Sequence, residues 1–136
     1  AGADAAGCEF EHSWVEPVYE EICDSEALLE CYVANAASLG RVVLPPTEHR
    51  VVASTDLGNV SKILPAIHPM IQAAPLGTPI HTSEFAEYAT SNEGDKAVLD
   101  GAKAMALTLV DCWSSPDILV GARADFEPGG VRGASS

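Results

Sequence analysis

Ser54, Thr55, Asp56 and Asn59 crowd into one short stretch, and His81 and Glu84 follow it beyond an apolar segment and the loop Pro75-Leu-Gly-Thr-Pro79. These are the residue types best suited to chemistry in the sequence. A neutral imidazole binds a metal ion when its second ring nitrogen is held by another partner, and a histidine just before a helix start is well placed to face a cleft. The hydroxyl, carboxylate and amide at 54, 56 and 59 suit orienting hydrogen bonds. Each also has a plainer reading. Ser, Thr, Asp and Asn around Leu57-Gly58 make a turn whose side chains bond the backbone, and Asp56 reads equally well as the cap of that turn. One histidine is not a metal site.

The elements that would carry these residues are read from local patterns. Cys8, Phe10, His12 and Trp14 alternate with Glu9, Glu11 and Ser13, which predicts a strand over 7–15 with His12 as a packing residue. Such a strand has no partner nearby in the sequence. Asp24-Ser25 offers an N-cap for a helix over 26–39, with Leu28, Leu29, Tyr32, Val33 and Ala36 on one face and Gly40 as its stop. The adjacent carboxylates Glu20-Glu21 read as solvated. Ile63, Leu64, Ile67 and Ile71 read as one or two buried strand segments, with His68 either in the core or facing a cleft. Thr82 or Ser83 caps a helical turn over 84–89. Ser91 caps a long helix whose apolar stripe is Val98, Ala102, Met105, Ala106, Leu109, Val110 and Trp113, with Gly101, Ala102 and Ala106 permitting close approach. Ser115-Pro116 opens a last helix ending near Phe126.

Composition narrows the class. The chain has 136 residues, 47% hydrophobic and 20% charged, as in a globular domain able to bury a core. Its net charge of −13, from 20 acidic and 7 basic residues, repels phosphate backbones and anionic lipid, so neither nucleic acid nor a membrane surface is an expected partner. The cysteines at 8, 23, 31 and 112 lack the spacing of a zinc knuckle or redox pair and read as buried reduced thiols of a cytoplasmic protein.

Three ordered motifs carry a resemblance: Ser54-Thr-Asp-Leu-Gly-Asn-Val-Ser61, Pro65-Ala-Ile-His-Pro69 and His81-Thr-Ser-Glu-Phe85. Together they resemble the closing part of a co-catalytic zinc amidohydrolase of the aminoacylase and carboxypeptidase type, peptidase family M-twenty. The nearest branch is that of aminobenzoyl-glutamate hydrolases and dipeptidase-like proteins. Residues 102–112 and 124–126 resemble that branch's closing helices.

The resemblance implies an α/β fold: the C-terminal portion of a zinc-peptidase-type catalytic domain, with few mixed strands packed by helices. Residues 1–15 would be the last strand of a lid and dimerisation domain, 16–130 the end of the catalytic domain and 131–136 a disordered tail. It implies zinc or another divalent metal, two ions in the complete enzyme, with His81 as a ligand. Ser54, Asp56, Asn59 and Glu84 would contact the substrate or support the ligands. Ala53 departs from the glycine usual before that serine. The implied partners are a small amide or dipeptide substrate, the rest of the same enzyme and a second copy of it.

The expected His-x-Asp or Cys-x-His pair and the catalytic Glu-Glu pair do not occur here in the family's context, since Glu20-Glu21 is wrongly placed. The sequence therefore predicts a fragment, inactive alone, of an enzyme hydrolysing amide bonds in N-acyl amino acids, aminoacyl-glutamates or dipeptides. A non-catalytic interaction domain derived from that family is the second reading, and a secreted disulfide-linked module the third.

Overall fold

A computed structural model describes residues 2–44 and 55–126. Among them the regular elements are helices: α1 (Gly2–Ala6), α2 (Glu26–Ser38), α3 (Leu57–Ser61), α4 (Ser83–Ala89), α5 (Asn92–Ser114) and α6 (Pro116–Asp125). Three of them, α2, α4 and α5, begin where a side chain accepts from an otherwise orphaned N–H. The Ser25 hydroxyl accepts from the Leu28 amide (3.5 Å), Thr82 from Phe85 (3.2 Å) and Ser91 from Gly94 (3.3 Å). At α2 a carboxylate from the far end of the chain assists: Asp125, closing α6, accepts from the Ala27 amide at 2.9 Å and from the Ser25 hydroxyl at 3.3 Å. A negative charge there also complements the helix dipole. Gly40 ends α2 in the left-handed region, and the Arg41 amide closes back onto the Ala36 carbonyl. Ser115 precedes Pro116 as read, but its side chain makes no capping bond.

α2 packs against α5 and α6 around Tyr32, Ala36 and Ala104, with Leu39 and Ile67 against that cluster. The face of α5 used for this is not the one its apolar stripe predicts. Its buried row is Gly94, Ala97, Asp100, Ala104, Thr108 and Cys112. The stripe of Val98, Ala102, Met105, Ala106, Leu109, Val110 and Trp113 is exposed, Val98 by 70% and Trp113 by 73%. Small residues let the helix axes approach closely, and the polar members of the row find partners. The Asn35 amide donates to Asp111 at 2.8 Å and to Thr108 at 3.3 Å, and Thr108 donates to the Ala104 carbonyl. Where α4 meets α5, a Cβ on Gly94 would lie 2.5 Å from the Ala89 carbonyl oxygen.

The strand readings fare differently. Among the described residues, extended pairing is one isolated parallel bridge between Asp24 and Ala66. Residues 8–15 form no ladder and are exposed; His12 stacks on Phe10 (5.2 Å between ring centroids) and meets Trp14 edge-on. Alternation needs a partner edge to become a strand, and this stretch has none within the described residues. Ile63 and Leu64 are exposed beyond the end of α3, and only Ile67 of that group packs on the core cluster. Residues 45–54 and 127–136, which include Pro45-Pro46, Ser54 and the predicted tail, lie outside the described residues.

The most demanding buried group is Asp100. Its carboxylate receives the Arg41 Nε–H at 2.9 Å and the Lys96 ammonium from the preceding turn, while Arg41 Nη1 donates to the Gln72 carbonyl at 3.0 Å. Hydrogen bonds and charge from Lys96 first, and then Arg41, hold this carboxyl below the ordinary carboxylate range against the opposing effect of burial. The unfolded chain therefore binds the proton more readily. The contribution is complete above about pH 4 and is lost as pH falls through the folded value. Urea titrations of the parent and of Asp100→Asn should show the stability gap between them closing as pH is lowered from about 5 to about 2. A gap independent of pH would contradict the assignment.

Candidate functional site

Two short helices carry the residues that sequence reading selects. α3 carries Asn59, with Asp56 at its N-cap position, and α4 opens one residue after Thr82 with Glu84 in its first turn. His81 lies immediately before that cap. It is exposed and has φ of 63°, the one non-glycine residue with positive φ among those described. A histidine in this region carries backbone strain that only its surroundings can hold in place. Those surroundings are the Thr82 hydroxyl, which donates to the Pro79 carbonyl at 2.7 Å and accepts from the Phe85 amide at 3.2 Å. The turn is thus tied on both sides of the imidazole.

Asn59 has a different occupation. Its Nδ2 donates to the Val18 carbonyl at 2.8 Å, and its Oδ1 accepts from the Glu20 amide at 3.4 Å. Both ends of the side-chain amide are engaged by the backbone of residues 18–20, as a neighbouring strand would engage them. Two residues on, Ser61 is buried, donating to the Gly58 carbonyl (2.7 Å) and accepting from the Cys23 amide (3.0 Å). The Ser25 amide donates to the Ala66 carbonyl at 2.9 Å, and the His68 amide to the Asp24 carboxylate at 3.2 Å. Residues 18–25 and 59–68 therefore run alongside each other, joined largely through side chains.

Asp56 is exposed and does not cap α3 with its side chain; the Thr55 hydroxyl accepts from the Leu57 amide instead, at 3.2 Å. Glu84 is exposed on α4. No hydrogen bond or ion pair joins His81 or Glu84 to Asp56 or Asn59, and among the described residues no three His, Cys, Asp or Glu side chains gather as a metal-binding group. His81 alone does not make a metal centre, which needs donors converging from several elements. His68 is exposed rather than in the core. A cleft of about 390 Å³ beside Arg41, Gln72, Tyr88, Glu93 and Lys96 is lined by none of the predicted site residues. No helix among the described residues is long and apolar enough to cross a membrane.

Sequence reasoning missed Gly58. A Cβ there would lie 1.8 Å from the Glu20 carbonyl oxygen and 2.6 Å from its carbon. α3 thus rests directly on the backbone of residues 20–21, an approach only glycine allows. A glycine inside the Ser-Thr-Asp-Leu-Gly-Asn turn was the available signal.

No family model matches the chain. Over nearly its whole length, however, the sequence is similar to two known dipeptidases. It is 33% identical over 131 residues to the human Xaa-Arg dipeptidase and 32% identical over 133 residues to the mouse Xaa-Arg dipeptidase. Each alignment takes in 93% of this chain but 29% and 30% of those proteins, so the chain spans under a third of the length of the curated relatives it matches.

Gly58→Ala is expected to cost about 3 kcal/mol, because the obstacle is backbone that cannot rotate away. Asn59→Ala should cost about 1 kcal/mol through the loss of two hydrogen bonds to the backbone. Urea unfolding of both variants checks this. A Gly58→Ala chain as stable as the parent would mean that α3 does not sit on residues 20–21.

Proposed function

We propose that this chain is the C-terminal portion of a metal-dependent amidohydrolase that cleaves the amide bond of a dipeptide or N-acyl amino acid. The similarity to dipeptidases over 93% of the chain carries this reading, and an alignment of that extent takes in the 54–85 region with its three motifs. The held, exposed His81 supports it. In this reading His81 supplies one donor to a metal centre whose other donors come from the remainder of the same polypeptide. A divalent metal, when bound, acidifies water and steadies the oxyanion of a tetrahedral intermediate.

What the chain's own residues contribute is position. Thr82 fixes the turn that presents His81, and Asn59, Ser61 and Gly58 hold α3 so that Asp56 stays on an exposed corner. The outward apolar row of α5 supports packing against further protein, which the rest of the polypeptide, and a second copy of the complete enzyme, would provide. The net charge of −13 favours a cationic substrate over an anionic one, so dipeptides ending in a basic residue are the first to assay, ahead of aminoacyl-glutamates.

In the full polypeptide, His81→Ala is expected to lower kcat/KM for dipeptide hydrolysis by about a hundredfold or more and to reduce bound metal. Hydrolysis at the parent rate with normal metal content would sink the ligand assignment.

A further inference from the structure

The four cysteines occupy unlike settings. Cys112 is buried. Cys31 lies between α2 and α5 with its sulfur 3.6 Å from the Asp111 carboxylate; burial first, and then that carboxylate, push its thiol up, away from the nucleophilic form. Cys8 is exposed, and its thiol donates to the Ala6 carbonyl at 3.7 Å. Cys23 is also exposed, and the ammonium of Lys62 lies 3.0 Å from its sulfur. Glu21 steadies the same ammonium at 3.4 Å. The hydrogen bond to Cys23, and then Glu21, raise the Lys62 amine above its ordinary value, so it is present as a cation and proton donor. The backbones carrying the pair are fixed, since the Cys23 amide donates to Ser61, the residue preceding Lys62.

We propose that Cys23 and Lys62 form a peroxide-responsive pair, in which oxidised Cys23 is captured by Lys62 as a covalent sulfur–nitrogen bond. The Cys23 sulfur, having lost its proton to solvent, attacks one oxygen of hydrogen peroxide. The O–O bond breaks and its electron pair leaves on hydroxide, which takes a proton from the Lys62 ammonium and departs as water. Sulfur is oxidised by two electrons to the sulfenic acid, and peroxide is reduced. The amine left on Lys62 then attacks that sulfur; the S–O bond breaks, and the departing hydroxide takes an amine proton to form a second water. One peroxide is consumed and a sulfenamide remains, joining residues 18–25 to the end of α3. Thiol reductants reverse it by attacking the same sulfur.

The test is peroxide titration of the 136-residue chain, followed by peptide mass analysis with and without dimedone. The expected product is a Cys23–Lys62 cross-linked peptide two hydrogens lighter than its reduced parts, formed before Cys8 is oxidised and removed by dithiothreitol. Lys62→Arg keeps the cation but cannot close the link, so it should accumulate dimedone-reactive Cys23. Lys62→Met should oxidise at Cys23 about tenfold more slowly, as expected for loss of a positioned proton donor. Equal oxidation of Cys8 and Cys23, an unchanged Cys23 rate in Lys62→Met, or a stable Cys23 sulfenic acid with no cross-link in the parent would each overturn the proposal.

Discussion

The α2–α5 seam sets the terms for the rest of the structure. Around Tyr32 its residues are small or polar: Ala36 and Ala104 for contact, and Asn35, Thr108 and Asp111 for hydrogen bonds. Such a seam gains less from apolar burial than a leucine-rich one, and it holds only because its polar members are paired within it. Asp100 is the extreme case. Arg41, which pairs with it, has Nη2 buried without a partner, while Nη1 donates to the Gln72 carbonyl. The close fit of α2, α5 and α6 also brings Asp125 to the first turn of α2, joining the two ends of the helical layer.

Three helix starts were legible because capping is local: a serine or threonine accepting from an amide three residues on needs nothing distant to be recognised. Ser25, Thr82 and Ser91 behave as read. The facing of α5 was not legible. Periodicity identifies an apolar row, but whether that row lies in this chain's core depends on what else is present to cover it. Val98, Met105 and Trp113 form a regular stripe, and the helix packs with its other side. The 7–15 alternation illustrates the same limit, since a strand is defined by a neighbour and not by its own pattern.

For the site, residue type pointed to His81, but the left-handed backbone there could not be foreseen, because no glycine or asparagine marks the position. Asn59 was selected as polar chemistry beside a turn, whereas its amide serves the backbone of Val18 and Glu20. The expectation of buried thiols holds for Cys112 and not for Cys8 or Cys23. Side chains such as Ser61, Lys62 and Asn59 act across roughly forty positions of sequence. No local reading reveals such pairings.

The backbone at His81 has a consequence for how the position can vary. A left-handed φ costs a non-glycine residue about 1–2 kcal/mol, so glycine there would relax the turn and raise stability. A population selected for stability alone would drift towards glycine at 81, and one selected for an imidazole would hold histidine at that cost. Position 81 is thus a place where folding and the proposed metal-ligand role would pull in opposite directions.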